Sequence, residues 1–167
     1  MVTKTKDSDS FPAIAIDSRE QNPFRFPSYI LTEVRTLRTG DYSLVGFEDR
    51  VAIERKSKQD AYGTIGSGRG RFTRELERLH ALDYGAIVVE SSLPDFLAQP
   101  PFSGLHPHAA VNSLIAWSIR YRVPVHWSGD RRHATALVLS LLRFWWKYRD
   151  GTAQTKTESE EEGLESA

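Results

Sequence analysis

Residues 51–56, Val-Ala-Ile-Glu-Arg-Lys, set a carboxylate and an ammonium two positions apart in an apolar run of β type. Side chains alternate faces along a strand, so Glu54 and Lys56 share one face while Arg55 points to the other. Asp41 follows Gly40 at a turn and opens the neighbouring segment 42–45, which brings a second carboxylate to the same end of a hairpin. Two acids on adjacent strands beside a lysine suit the hydrolysis of a phosphodiester. The attacked phosphate is an anion whose charge grows in the transition state, and water is a poor nucleophile near neutral pH. A Mg²⁺ or Mn²⁺ ion held by the hard oxygens of Asp41, Glu54 and a main-chain carbonyl, that of Arg55, would stabilise the charge and lower the pKa of a bound water. Lys56 would hold that water or a phosphate oxygen and help with proton removal. A lone Glu-x-Lys is more often a pair of unconnected surface charges, so the assignment depends on what surrounds it.

These residues need a sheet to hold them. Residues 13–16 read as a buried strand ending in Asp17-Ser18-Arg19-Glu20, with a loop marked by Asn22-Pro23 and Phe26-Pro27 after it. Residues 32–37 alternate as a strand, and 42–45 and 51–56 form the arms of an antiparallel hairpin beside the first strand. From Arg71 the period changes: Phe72, Leu76, Leu79 and Leu82 recur at helical spacing. Tyr84–Glu90 is then a nearly continuous apolar strand of the kind covered on both faces. Helical segments at 93–98 and 108–121, a short strand at 123–127 and a helix at Arg131–Tyr148 complete a mixed α/β sandwich.

Size and composition bound the rest. The chain has 167 residues, 40% hydrophobic and 26% charged, in the range of a single soluble domain. With no cysteine it has no disulfide framework, thiolate nucleophile or cysteine-based zinc site. The longest apolar stretch, 134–142, is interrupted by Thr135 and Ser140 and is well short of the roughly 20 residues that span a bilayer. The N-terminus lacks the apolar region of a secretory signal, so the expected setting is intracellular, cytoplasmic or nucleoid-associated, with no membrane partner. Net charge is zero, but residues 151–167 carry five glutamates against Lys156, leaving +4 on the remainder. A mildly basic body is compatible with a polyanion partner and is weak evidence by itself. The polar ends are expected to be tails: a flexible one at 1–10, an acidic disordered one at 151–167, and one domain at 11–150 between them.

Three further features bear on function. The Gly-rich stretch 63–71 lacks the Gly-Lys-Ser/Thr ending of a P-loop. It is expected to be a mobile loop near the site, offering Arg69 and Arg71 to backbone phosphates. His106 and His108 lie close together, but no further zinc ligands accompany them. The last helix is apolar nearly all round, which implies burial on more than one side, and its adjacent Trp145 and Trp146 suggest that one faces a partner.

In Ile16-Asp17-Ser18-Arg19-Glu20, Leu37-Arg38-Thr39-Gly40-Asp41-Tyr42 and Ile53-Glu54-Arg55-Lys56-Ser57-Lys58-Gln59-Asp60, continuing to Arg71, the sequence resembles the XPF-like structure-specific endonucleases, a branch of the restriction-endonuclease-like superfamily. The resemblance covers the first half of the chain closely and the second half in outline. It implies a restriction-endonuclease-like α/β fold, a mixed central sheet flanked by helices. It also implies metal-dependent cleavage of DNA, at branched or flap-like structures, and dimerisation through the C-terminal helix. Asp41 and Glu54 match the family's metal-binding acids, Lys56 its catalytic lysine and Asp60 the acid closing the motif. Asp17 and Glu20 match strand-end acids flanking the metal, and Arg19, Arg55 and Arg71 arginines that contact DNA or support the site. Asp17 is equally compatible with capping a strand-end turn, and Asp60 with starting a helix. Many family members carry a tandem helix-hairpin-helix domain after the nuclease, whereas an acidic segment follows Tyr148 here. DNA affinity is therefore expected from the nuclease body, a homodimer or a separate DNA-targeting protein. A non-catalytic DNA-binding scaffold and an RNA-directed nuclease are the alternative readings.

Overall fold

Six strands form one sheet in the order β2-β1-β3-β4-β5-β6: β1 Ile14–Asp17, β2 Thr32–Arg35, β3 Tyr42–Leu44, β4 Val51–Ser57, β5 Tyr84–Glu90 and β6 Val125–Trp127. The structure, a computed structural model, describes residues 10–98, 100 and 103–150, so the expected tails, Ser10 apart, lie outside the described residues. Both β1 and β3 pair antiparallel, as do β3 and β4, while β1–β2, β4–β5 and β5–β6 are parallel. Five strands thus run one way and β3 runs against them. The segments β1, β3 and β5 are short or continuous apolar runs because both of their faces are covered.

One face of the sheet is packed by α1 Lys58–Ile65, α2 Arg69–His80, α3 Leu93–Leu97 and α4 Pro107–Tyr121, through Tyr62, Phe72, Leu76, Phe96 and Trp117 against Ala52, Ile87 and Val89. The other is covered by α5 Arg131–Tyr148 and by the loop after β1, through Phe24, Ala134, Val138 and Leu142 against Ile53, Ala86 and Val88. Neighbouring residues of β4 and β5 therefore serve different cores, as period-2 alternation requires. This is the expected restriction-endonuclease-like α/β architecture.

The structure departs from the sequence reading at three places. Residues 63–71 are not a loop: α1 runs through Gly63, a tight turn occupies 66–68, and α2 begins at Arg69. Ser57 caps the start of α1, its Oγ accepting from the Asp60 amide at 3.1 Å and donating to the Asp60 carboxylate at 2.6 Å. Glycine content concealed a helix whose start signal was present. Strand β2 is shorter than 32–37 and lies at the sheet edge, every residue exposed. Finally, Trp145 and Trp146 do not diverge toward a partner; both pack edge-on against Phe47, with centroids 5.8 and 5.1 Å away. The exposed large side chains of α5 are instead Phe144 and Tyr148. Among the described residues no helix is long and apolar enough to cross a membrane.

Helix α2 returns to β5 so closely that a Cβ at Gly85 would lie 2.5 Å from the Leu79 carbonyl oxygen, whereas a Cβ at Gly63 would meet nothing within 4 Å. Gly85→Ala should destabilise by about 1–3 kcal/mol through this overpacking. Gly63→Ala, inside a helix, should be neutral or stabilise by up to about 1 kcal/mol. Thermal melts of the two variants check the contrast, and equal melting temperatures would contradict it.

Candidate active site

Asp17 ends β1, Lys56 lies at the end of β4, Glu90 ends β5, and Asp41 immediately precedes the antiparallel β3, so all four reach one edge of the sheet. This is the carboxyl end of the parallel strands, the side on which open α/β sheets form their ligand crevices. Asp41 is fixed by its main chain on both sides. Its amide donates to the Ile53 carbonyl at 2.9 Å, and its carbonyl accepts from the Asp17 amide at 2.9 Å. The Asp41 carboxylate accepts from the Arg55 amide at 2.8 Å. Gly40 makes this approach possible: its φ is +71°, and a Cβ there would lie 2.9 Å from that of Ala52.

Glu54 lies on the α1/α2 side of β4, buried, with Lys56 Nζ 2.6 Å from its Oε1. The Lys56 ammonium also stands 4.8 Å from the centre of the Phe72 ring. The expected pairing of Glu54 and Lys56 on one strand face is therefore present. Burial and the nearby Glu54 push the Asp41 carboxyl up to about 8, and Glu20 adds to the effect. Burial likewise raises Glu54, against the pull of Lys56. Two desolvated carboxylates, with Glu54 disfavouring the ionisation of Asp41, mark a place where a cation would be stabilised.

Arg55 points to the opposite face, as alternation demands. Its Nε donates to Glu90 Oε1 at 2.5 Å, its Nη1 lies 3.4 Å from Glu20, and its guanidinium covers the Phe24 ring. Arg131 reaches the same Glu90 oxygen at 3.2 Å. The side chain of Arg55 is thus held in an internal network, and its main chain is what touches Asp41.

The remaining expected residues occupy different roles. Asp17 is buried and bound by Arg19 at 2.5 Å, with its Oδ1 also accepting the Arg19 amide at 3.1 Å. Burial acts to raise its pKa, but these bonds from Arg19 outweigh it and hold Asp17 below the usual carboxylate range. This is the strand-end turn geometry, with the Arg19 side chain otherwise exposed at the site's rim. Asp60 pairs with the Ser57 hydroxyl that caps α1. Arg69 lies over Trp117 at 5.1 Å and donates to Ser113 Oγ at 3.0 Å, so it braces α2 on α4, while Arg71 is exposed in the first turn of α2. The stacked His106 and His108 have no third ligand, and among the described residues no three His, Asp or Glu side chains form a ready-made metal cluster.

Three supporting residues were not singled out from sequence. Glu75 on α2 accepts from the Gly40 amide at 2.9 Å and from the Thr39 hydroxyl, and it also pairs with Arg78. Burial tends to raise Glu75, yet these donors hold it below its ordinary value. Nothing in the helical pattern of α2 distinguishes Glu75 from its polar neighbours. Glu90 did carry a signal, since it is the one acid in the otherwise apolar β5. Arg131 is recognisable only once α5 is seen to start beside Glu90.

The residues fit a hard divalent cation. Asp41 and Glu54 supply oxygen donors only, the chain has no cysteine, and positive charge would relieve the effect of Glu54 on Asp41.

The model of the ERCC4 domain matches residues 16–141, three quarters of the chain. The chain belongs to the ERCC4-domain family. The match contains every expected site residue, from Asp17 to Arg71, together with Glu75, Glu90 and Arg131. No curated protein sequence matches the chain. Among solved structures it is similar to XPF from Aeropyrum pernix, with 22% identity and a TM-score of 0.65, over 84% of this chain and 64% of that one. It is also similar to XPF from Aeropyrum pernix in complex with DNA, with 23% identity and a TM-score of 0.63, over 81% and 66% of the two chains. The chain therefore spans slightly less than two thirds of those proteins. At this identity the likeness establishes the fold, and this ERCC4 domain has the XPF nuclease fold.

The site carries a stability signature. A carboxyl raised in the folded state favours folding fully below its unfolded pKa of about 4, and that contribution is lost as pH rises through the folded value of about 8. In EDTA, Asp41→Asn should match the wild type near pH 4. It should exceed the wild type by about 1–2 kcal/mol above pH 8, roughly 3–6 °C in melting temperature. Adding Mn²⁺ should raise the melting temperature of the wild type and not that of the variant. A variant less stable than the wild type at pH 9 in EDTA would show that the carboxylates do not repel.

Proposed function

We propose that this ERCC4 domain is a Mg²⁺- or Mn²⁺-dependent DNA endonuclease acting at branched or flap-like structures, with residues 11–150 as its nuclease domain. The observation that carries the proposal is the convergence of Asp41, Glu54 and Lys56 at one buried sheet edge, with Asp41 pushed up to about 8. Asp41 and Glu54 would hold the metal with the Arg55 carbonyl. When bound, the metal supplies charge neutralisation and a nucleophilic water. Hydrolysis adds the water oxygen to phosphorus and breaks the bond to the leaving sugar oxygen. Lys56, freed from its pairing with Glu54 by the approaching phosphate, donates to a non-bridging oxygen as charge builds there. The Arg55 amide orients the Asp41 carboxylate, and Glu75, acting through Gly40, holds the turn that presents it. Arg19 and Arg71, both exposed, are placed to meet backbone phosphates.

Branched DNA arises in repair and recombination, so the setting proposed is intracellular, in the cytoplasm or at the nucleoid. A separate protein would add DNA targeting. The homodimer implied by the family resemblance rests on a stripe of α5 formed by Leu137, Leu141, Phe144 and Tyr148, spaced i, i+4, i+7 and i+11. Phe144 and Tyr148 are 59% and 51% exposed and stacked on each other, which leaves apolar surface for a second copy.

A panel of single-stranded, duplex, flap and forked DNA, with labelled RNA alongside, tests the activity. Asp41→Asn and Glu54→Gln should abolish cleavage with the fold intact, and full activity in either would refute the site. Lys56→Ala should lower the single-turnover rate by about 10²-fold or more with little loss of affinity, since it removes a transition-state contact. A wild-type rate at saturating DNA would remove Lys56 from the chemistry. Phe144→Glu with Tyr148→Glu should turn a dimer into a monomer in light scattering, and a wild-type protein monomeric at high micromolar concentration would exclude the dimer.

A further inference from the structure

A groove of about 940 Å³ lies on the α5 side of the sheet, away from the face that carries Glu54 and Lys56. One wall is the loop from Asn22 to Tyr29 and the other is α5. Four arginines line it, Arg25, Arg131, Arg132 and Arg143, and no acidic residue does. Among the described residues only Arg131 of these four pairs with a carboxylate; Arg25, Arg132 and Arg143 are exposed and form no ion pair. Aromatic surface is interleaved with the charge. Tyr29 is 70% exposed, and the Arg143 guanidinium sits 5.7 Å from its ring centre. Unpaired arginines beside an open aromatic face suit a flexible polyanion with stackable bases, the recognition mode of single-stranded nucleic acid.

The groove is joined to the site by direct bonds. Arg131 Nη2 donates to the Asn22 and Pro23 carbonyls at 2.6 and 2.8 Å, holding the loop wall, and Nη1 reaches Glu90 at 3.2 Å. Glu90 binds Arg55, whose amide holds Asp41. The groove and the Asp41–Glu54 site therefore meet at the same sheet edge from opposite faces.

We propose that this groove holds a single-stranded DNA arm of the substrate while a phosphodiester of the other strand lies at Asp41 and Glu54. This deepens the nuclease reading and rests on it: the sheet edge would divide the two strands, and selectivity for branched DNA would come from the occupied groove. The stripe of α5 assigned to a second copy lies on the opposite flank of that helix, so both surfaces can be used together. Arg25, Arg132 and Arg143 contact the arm's phosphates, and Tyr29 stacks on a base.

The test is done in EDTA, so that no cleavage occurs, with the full chain and fluorescent oligo(dT), an oligo(U) of equal length and a duplex. Replacing Arg25, Arg132 and Arg143 together by Ala should weaken oligo(dT) binding tenfold or more and reduce the slope of log affinity against log salt by about 2, since each single-strand phosphate contact contributes about 0.7. Tyr29→Ala should weaken binding about fivefold or more without changing that slope, as lost stacking does. A photoreactive thymidine analogue in the oligonucleotide should crosslink to Tyr29. Thermal melts establish that each variant is folded; if the triple variant is not, Arg132→Ala alone and the wild-type crosslink carry the same decision. Wild-type-like oligo(dT) affinity and salt slope in the folded triple variant would overturn the proposal, as would tighter binding of oligo(U) or crosslinking confined to other surfaces. A protein that binds oligo(dT) through these residues but cleaves no DNA with Mg²⁺ or Mn²⁺ would overturn the nuclease reading and leave the groove standing. Cleavage together with unaffected groove variants would do the reverse.

Discussion

Two carboxylates from neighbouring strands, Asp41 and Glu54, share a buried end of the sheet, and much of the surrounding structure contains their repulsion. Desolvation disfavours each anion; Glu54 raises the cost of ionising Asp41, and Glu75 and Glu20 raise that of Glu54. Lys56 answers part of this on one face by pairing with Glu54, and the Arg55 amide answers part on the main chain. On the far face, Glu20, Glu90, Arg55 and Arg131 form a second layer in which acids and arginines alternate. The arrangement is a strained electrostatic balance of the kind found where charge must later be received.

Backbone economy makes the balance possible. A strand that runs against the other five brings the turn before β3 level with the ends of β1 and β4, so Asp41 bonds through its main chain to Asp17 and Ile53. Gly40 permits this turn because a side chain would collide with Ala52. Glu75 then ties the turn to α2, coupling the placement of the Asp41 side chain to the packing of a helix on one face of the sheet. A small error anywhere in this chain of contacts would move Asp41 relative to Glu54.

The two faces of β4 divide labour. The Glu54 and Lys56 face lies beneath α1 and α2, where Phe72 shields the lysine. The Arg55 face lies beneath α5 and the loop after β1, where Phe24 stacks on Tyr42 at 4.9 Å and supports Arg55 and Arg131 from below. The Asp41–Glu54 cluster and the arginine-lined groove are therefore separated by the thickness of one sheet and joined through Glu90.

Local pattern was enough to read much of this in the sequence. Alternation in 51–56 put Glu54 and Lys56 on one face, the Gly40 turn brought in Asp41, and the apolar run of β5 required cover on both sides; these depend on backbone geometry that neighbouring residues dictate. Other features depended on contacts distant in sequence. Whether Asp17 turns to the site or to Arg19 is decided by where Leu37 lies, since its carbonyl accepts from Arg19 at 2.7 Å. Residues 63–71 became helix and turn because Tyr62 and Phe72 had cores to enter, which outweighed the glycines' preference for open chain. Trp145 and Trp146 both found Phe47, a residue about a hundred positions away. Glu75, Glu90 and Arg131 acquired their roles only from the juxtaposition of α2, β5 and α5. Sequence determines what can alternate, cap or turn within a few residues; which charge meets which partner across the fold is decided by packing, because an ion pair has no signature until both ends are brought together.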